Sequence, residues 1–174
     1  SAGASFYPRL LNFQSSQKKF PETTHSASST TSGAVEEDVL VKRTIDGDTI
    51  ELEDGRRVRY IGIDSPELVH PKKPVECFGK EAKEANRELV EGKTIRLKKD
   101  VSETDKYGRL LRYVYTGKTF VNDYLVRQGF AFASTYPPDV AFQDQFHKAE
   151  QEARENYRNL WGHCCFFPTG FECV

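Results

Sequence analysis

The sequence predicts an α+β domain that is mainly β, a closed five-stranded barrel with three packed α-helices. Three observations support this fold class. Short apolar segments with strand character fall into a group of three and a group of two, a helical pattern separates the two groups, and glycine-containing turns join neighbouring segments. The 174-residue chain is 37% hydrophobic and contains 12 Phe and 8 Tyr, which is enough apolar surface for one core.

The first three predicted strands form a meander. The strand pattern begins at Val39, and the dipeptides Asp46-Gly47 and Asp54-Gly55 are typical of tight hairpin turns. A third strand is predicted at 58–63, and it ends before Pro66 because proline cannot donate to a strand ladder.

A helix follows the meander. Phe78, Ala82, Ala85 and Leu89 are spaced by four, three and four residues, which places them on one helical face, and Gly92 is a stop signal.

The second half of the domain alternates strands and helices. Strands are predicted at 94–101 and 110–115, and a short helix at 121–128 has Gly129 as its C-cap candidate. A long helix is predicted from about 140 to 159. The apolar face of that helix contains Phe142, Phe146, Ala149, Ala153 and Leu160. Five strands with an intervening helix favour a barrel of the oligonucleotide-binding (OB) type.

The ends of the chain differ in composition from its middle. Residues 1–37 are rich in Ser, Thr, Ala and Gly, which predicts a flexible segment because too little apolar surface can be buried. The folded domain is expected at 38–162, and a Cys-containing tail at 163–174. The small residues at positions 1–4 fit both a mature exported chain and a remnant of recombinant expression.

Charge and hydropathy exclude some classes of protein. The net charge is −1, from 25 basic and 26 acidic residues, so any binding of a polyanion must depend on local clusters of Lys and Arg. The sequence contains no apolar run of about 18 residues, and we therefore predict no membrane span.

Acidic residues at the ends of strands suggest a metal site. Asp48 follows the glycine of the first hairpin, Asp64 ends an apolar strand, and Glu67 lies close by. An all-oxygen set without His or Cys suits Ca²⁺ or Mg²⁺ better than Zn²⁺. Each motif also has a purely structural explanation, since Asp46-Gly47 favours a turn and Asp64 or Ser65 can cap a strand exit.

Two arginines could add an anion site. A guanidinium is suited to gripping a phosphate, although surface ion pairing is the commoner role of any single Arg. Arg59 lies five residues before Asp64, and regular strand alternation would place the two side chains on opposite faces unless Gly62 marks a bulge. Arg109 follows a glycine turn that could aim it at a cleft.

Further residues are candidate contacts to a nucleic-acid strand. The loop at 70–74 is basic and contains Lys73, and Tyr107 and Tyr136 could stack on bases or sugars. The alternative interpretation is a solvated loop and a partly buried strand end. More candidate contacts to the phosphate backbone are Lys42, Arg43, Arg56 and Arg57.

The four cysteines leave several pairings open. Cys77 lies in the middle of the chain, and Cys164, Cys165 and Cys173 lie near its end. Four cysteines permit three complete pairings, and four reduced thiols are the alternative. A zinc site is disfavoured because there is no Cys-x-x-Cys motif.

Between about 39 and 161 the chain resembles the staphylococcal nuclease (thermonuclease) family. Seven motifs appear in the order and at the spacing of that family, and together they are far more specific than any one alone. They lie at 45–49, 59–67, 70–73, 78–82, 105–109, 126–129 and 160–161.

The resemblance implies a fold and a metal site. The fold would be the family's five-stranded OB barrel with three helices. Asp48 and Asp64 would bind Ca²⁺ through their carboxylates and Ser65 through its backbone carbonyl, where Thr is the usual residue.

The resemblance also implies the catalytic roles. Glu67 would hold and deprotonate the attacking water, and Arg59 and Arg109 would grip the scissile phosphate. Lys73 and Tyr107 match positions near the bound nucleotide. The implied activity is a hydrolase that cleaves DNA and RNA to leave 3′-phosphate ends.

Secreted, cysteine-containing members of the family resemble this chain in the placement of their cysteines. They imply a disulfide between Cys77 and Cys164, with Cys165 as the fallback partner, and a secreted or cell-envelope protein. We expect a monomer without an obligate protein partner. The main rival is a non-catalytic binding module, which would lack at least one of the acidic and arginine residues named above.

Overall fold

The structure is a computed structural model that describes residues 36–68, 76–167 and 170–173. The flexible segment predicted at 1–37 therefore lies almost entirely outside the described residues, as does Lys73. The strands of the domain are β1 Glu36–Asp46, β2 Thr49–Leu52, β3 Arg57–Tyr60, β4 Ile63–Asp64, β5 Thr94–Lys98, β6 Leu110–Thr116, β7 Thr119–Phe120 and β8 Phe132–Ala133.

The barrel closes through β1 at one seam and β3 at another. The first half of β1 pairs with β5, and its second half pairs with β2, so one long strand serves both sides. Strand β3 pairs antiparallel with β2 and parallel with β6, and β6 pairs with β5. The circuit β1-β2-β3-β6-β5 returns to β1, which confirms the predicted closed five-stranded barrel.

Within the described residues, four helices and a terminal hairpin accompany the barrel. The helices are α1 Gly79–Val90, α2 Val121–Arg127, α3 Gln143–Glu155 and the short α4 Leu160–His163. The segment expected as a tail contains β9 Cys164–Phe167 paired with β10 Gly170–Cys173. No helix in the described part of the chain is long and apolar enough to cross a membrane.

Helix α1 forms where the apolar spacing predicts it. It packs Gly79, Ala82, Asn86 and Val90 inward, and Gly92 follows with a φ of 69° that an L side chain rarely adopts. Asn86 is the polar member of this buried face.

The strand predicted at 58–63 is divided in two by a bend at Gly62. Gly62 has a φ of 78°, and the chain leaves β3 before it and enters β4 after it. Two bonds hold the bend: the Asn122 side-chain amide donates to the Ile61 carbonyl at 2.8 Å, and the Ser134 N–H donates to the Gly62 carbonyl at 3.0 Å. Alternation of side chains is therefore interrupted at Gly62.

The last helix is shorter than the predicted span of 140–159. Helix α3 ends at Glu155 because Tyr157 and Asn159 adopt positive φ angles of 51° and 45°, which no α-helix can include. Leu160, predicted on the face of this helix, is buried but belongs to α4.

A disulfide joins Cys77 to Cys164 across 87 positions of the chain. Both cysteines are buried against Leu160, and Phe78 and Trp161 pack on the same cluster. The bond ties the start of α1 to the end of α4.

We predict that Gly62→Ala destabilises the fold strongly. A Cβ atom at Gly62 would lie 2.5 Å from Cε2 of Phe146, whose side chain is buried, and the positive φ adds strain. We expect a loss of roughly 2–5 kcal/mol, from left-handed strain and overpacking together. Equilibrium unfolding in urea measures it.

The matched control for this prediction is Gly55→Ala. Gly55 has a similar φ of 86°, but no atom lies within 4 Å of its added Cβ. That variant should lose only about 1–2 kcal/mol. Equal losses in the two variants would contradict a role for the contact with Phe146.

Removal of the disulfide should also lower stability. Without the cross-link the unfolded chain regains loop entropy, and for a loop of this size the chain-entropy model gives about 4–5 kcal/mol. The measurement compares the unfolding free energy of the oxidised parent with that of the Cys77→Ala/Cys164→Ala double variant. A reductant should weaken the parent and leave the variant unchanged, whereas non-reduced peptide mapping that finds free thiols at both positions would refute the pairing.

Candidate functional site

The acidic residues and arginines singled out from the sequence converge on one cleft of about 170 Å³. The turn between β1 and β2, the strand β3, the exit from β4 and the start of β6 each contribute to it. The lining residues are Asp46, Asp48, Arg59, Asp64, Ser65, Pro66, Glu67 and Arg109.

Arg59 spans the bend and joins it to two carboxylates. Its Nη1 group donates to the carbonyls of Tyr60 and Ile63 at 2.9 and 2.8 Å. Its Nη2 group lies 2.6 Å from Asp64 Oδ1 and 3.1 Å from Asp48 Oδ2. The bend at Gly62 therefore brings Arg59 and Asp64 to the same side, which strand alternation alone would not do.

Asp48 connects the first hairpin to the exit of β4. Its Oδ2 accepts the N–H of Ser65 at 2.7 Å, and its Oδ1 accepts the hydroxyl of Thr49 at 2.9 Å. Asp48 is only 4% exposed, so its charge lies in a largely dry environment where it must be neutralised.

The site carries more negative charge than its arginines balance. Burial, and after it the nearby charge of Asp48, raises the pKa of Asp46 to about 7. The pKa of Asp64 is also raised, first by burial and then by Asp48 and Glu67, although Arg59 acts in the opposite direction. A cation bound beside these two carboxylates would favour their charged forms and lower both pKa values.

A hard divalent cation fits this set of donors. Carboxylate oxygens have spare acceptor capacity after one hydrogen bond each, and Ca²⁺ accepts a mixture of carboxylate, carbonyl and water oxygens. Within the described residues no group of three His, Cys, Asp or Glu side chains could hold an ion by itself. A cation between Asp48 and Asp64 would thus draw further ligands from backbone oxygen, water or a bound anion.

Glu67 is held by a residue that sequence reasoning missed. The N–H of Glu67 donates to Oε2 of Glu76 at 3.0 Å, and the N–H of Glu76 donates to the Glu67 carbonyl at 3.0 Å. Glu76 directly precedes the disulfide residue Cys77. No local pattern could reveal this pair, because the two residues are nine positions apart and belong to no common helix or strand.

A second supporting contact lies behind the first hairpin. The Tyr60 hydroxyl donates to Oδ1 of Asn86, and Nδ2 of Asn86 donates to the Asp46 carbonyl at 3.0 Å. Asn86 is fully buried. A sequence signal did exist here, since an Asn on the apolar face between Ala82 and Val90 requires a polar partner.

Arg109 presents an open guanidinium fork to the cleft. Its Nε donates to Asp105 Oδ2 at 2.7 Å, and the other oxygen of Asp105 accepts the N–H groups of Tyr107 and Arg109. Within the described chain, its two Nη groups donate to no protein acceptor. They are therefore available to an anion in the cleft.

A groove of about 460 Å³ adjoins the cleft and shares Arg59 and Arg109 with it. Tyr107 and Tyr136 line this groove and are 71% and 67% exposed. Exposed aromatic faces beside an anion site are suited to stacking.

Several known proteins are similar in sequence to this chain. The staphylococcal nuclease homologue family model matches residues 57–163. A thermonuclease of Staphylococcus hyicus is 39% identical over 133 residues, which are 75% of this chain and 79% of the relative. A thermonuclease of Staphylococcus intermedius is 41% identical over 128 residues, with coverage of 72% and 76%. The endonuclease YncB of Bacillus subtilis is 39% identical over 128 residues, with coverage of 71% and 61%.

The pKa of Asp46 predicts how stability depends on pH in the presence of a chelator. Because the folded-state pKa of about 7 exceeds the ordinary value of 3.8, the folded protein holds this proton more tightly. Stability from this group is fully present below about pH 4 and declines as the pH rises through about 7. The variant Asp46→Asn cannot ionise, so its stability relative to the parent should increase between pH 5 and pH 8 in urea unfolding.

Asp54→Asn is the control for this measurement. The backbone N–H of Arg56 lowers the pKa of Asp54 from its ordinary value of 3.8, so the ionisation of this group does not change over that window. Its effect on stability should stay constant over the same window. A difference between Asp46→Asn and parent that does not change with pH would contradict the assignment.

Proposed function

The chain belongs to the staphylococcal nuclease family and is a nuclease that hydrolyses nucleic acid, and we propose that it uses Ca²⁺ and leaves 3′-phosphate ends. The observation that carries this proposal is the position of Arg59, which lies between two carboxylates in a cleft that the free fork of Arg109 also enters.

Ca²⁺ would be held by Asp48, Asp64 and the backbone carbonyl of Ser65. When bound, it supplies a Lewis acid that polarises the phosphate and lowers the pKa of bound water. The surplus negative charge of the cleft supports this assignment, since a cation would favour the charged forms of Asp46 and Asp64, whose pKa values are raised first by burial and then by neighbouring carboxylates. The adaptable mixture of carboxylate and carbonyl oxygens favours Ca²⁺ over Mg²⁺, which requires stricter octahedral geometry.

Glu67 would hold the attacking water and accept its proton. Its backbone N–H and carbonyl are both bonded to Glu76, and its exposed side chain lines the cleft. A carboxylate can act as a base when the water that it deprotonates is itself activated.

The two arginines would stabilise the phosphate as negative charge builds up during attack. Arg109 offers its free fork, and Arg59 offers a guanidinium fixed in place by the bend. Donors held in place before the reaction lower the barrier, because no reorganisation is needed. Loss of either arginine should lower kcat by roughly 10²–10³-fold, by analogy with the removal of an oxyanion donor.

The substrate would be DNA, RNA or both. Tyr107 and Tyr136 would stack on bases or sugars in the adjoining groove, and Lys73 would contact the nucleotide from the basic loop. The buried disulfide supports an oxidising compartment, and we propose that the protein is secreted or resides in the cell envelope.

The test is hydrolysis of single-stranded DNA with Ca²⁺ and with EDTA, together with end-group analysis of the products. We expect Ca²⁺ to be required, the products to carry 3′-phosphates, and Glu67→Gln to lose orders of magnitude in kcat. Glu81→Gln is a matched control, because Glu81 is exposed on α1 and does not line the cleft.

Cleavage that persists undiminished in EDTA would refute the metal mechanism. Absence of cleavage under every condition would favour a binding module over a nuclease. Full activity in Glu67→Gln would remove Glu67 from the role of base.

A further inference from the structure

A cluster of cations lies on the outer face of the barrel beside the catalytic cleft. Strand register pairs Arg43 with Glu51 and Glu51 with Arg57, so the three residues form a row across β1, β2 and β3. Because β3 runs parallel to β6 with Val58 opposite Leu110, Arg57 lies beside Arg109 at the next strand. The row thus leads directly to an arginine of the cleft.

A bulge adds a second cation to the row. The register of β1 shifts between Val41 and Arg43, and both Lys42 and Arg43 face solvent as a result. We use the name Glu51 cluster for the group of four residues Lys42, Arg43, Glu51 and Arg57.

Three cations of the Glu51 cluster share one carboxylate. Glu51 lies 2.6 Å from Arg43 Nη2, 3.3 Å from Lys42 Nζ and 4.0 Å from Arg57 Nε. Its side chain is 11% exposed, whereas those of the three cations are 50–58% exposed. The carboxylate lies beneath its partners, and the cluster presents two uncompensated positive charges to solvent.

Stability does not account for this arrangement. Exposed ion pairs contribute little, and a second or third cation on one carboxylate also meets repulsion from the others. Arg56 differs from these cations, since it pairs with both Glu37 and Asp54 and retains no surplus charge.

The cluster is continuous with the cleft. Arg57 and Arg109 line one shared groove of about 530 Å³. Neighbouring strands are about 4.8 Å apart, so the three strand intervals from Arg109 to Arg43 span on the order of 14 Å. A distance of this order exceeds one nucleotide, so a strand whose phosphate occupies the cleft can reach the cluster.

We propose that Lys42, Arg43 and Arg57 form a subsite for the sugar-phosphate backbone of the nucleic-acid strand beyond the scissile phosphate. This inference rests on the proposed function. The subsite gives the enzyme a preference for polymers over dinucleotides. Because the contacts are to phosphates, the subsite favours no base sequence and its contribution weakens with salt.

The test is equilibrium binding of a single-stranded oligonucleotide long enough to cover the cluster, measured in EDTA between 50 and 200 mM salt. Each phosphate contact on a single strand contributes a slope of about 0.7 to the dependence of log Kd on log salt. The Arg43→Gln/Arg57→Gln double variant should lower that slope by about 1.4 and weaken binding on the order of tenfold at the lower salt.

The matched control is Arg87→Gln/Arg96→Gln. It removes the same charge from side chains that are 49% and 46% exposed and that pair with Glu84 and Glu36, away from the groove. Its slope should equal that of the parent within the error. For a dinucleotide, which is too short to reach the cluster, the affinities of the two double variants should differ much less than they do for the oligonucleotide.

Glu51→Gln gives a second measurement with the opposite sign. It frees the three cations, so binding should tighten and the salt slope should steepen. If the Arg43→Gln/Arg57→Gln variant does not fold, two other variants test the subsite. One is Glu51→Gln, and the other is Arg43→Lys/Arg57→Lys, which keeps the charge and should keep the salt slope of the parent. The subsite would be overturned if the salt slope of binding were unchanged in Glu51→Gln. It would also be overturned if Arg43→Gln/Arg57→Gln and Arg87→Gln/Arg96→Gln lost equal binding affinity. Ca²⁺-dependent cleavage by the parent would in either case still support the proposed function.

Discussion

The structure around the cleft depends on the Arg59 guanidinium. Two of its bonds go to backbone carbonyls on either side of Gly62, and two contacts go to the carboxylates of Asp48 and Asp64. One side chain, only 15% exposed, therefore fixes the path of the chain and compensates the charges that the path brings together. Without it, two carbonyls of the bend would lose a donor, and the two carboxylates would lose the guanidinium that they share.

Charge is segregated over short distances on this surface. The cleft has a surplus of carboxylates, while the neighbouring Glu51 cluster has a surplus of cations, and a net charge of −1 conceals both. The two regions suit different parts of the proposed ligand complex, a divalent cation and a phosphate backbone. Because both effects are local, whole-chain composition carried no information about either.

Local signals in the sequence predicted the barrel and most of its elements. Gly92 ends α1 as expected, and the turn dipeptides lie where the hairpins turn. The predicted C-terminal end of the long helix lies beyond the observed end at Glu155, because no sequence rule predicts the positive φ angles at Tyr157 and Asn159. At the site, the residue types indicated a metal and an anion, but strand periodicity could not place Arg59 beside Asp64. Glu76 was missed because its contact with Glu67 follows no helical or strand spacing. The pairing of Cys77 with Cys164 came from the family resemblance, since four cysteines alone left it open.

The parallel pairing of β3 with β6 has a consequence for how the active site comes into being. It joins Val58 to Leu110, and it is also the contact that sets Arg109 beside the strand that carries Arg59. Pairings between such distant parts of a chain form late, since the loop entropy must be spent before the contact stabilises anything. A partly folded chain can thus contain a complete meander and still lack a second arginine at the cleft. Hydrolytic activity should accordingly appear together with barrel closure during refolding. The activity should be proportional to the fraction of molecules with a closed barrel, and compact molecules with an open barrel should be inactive.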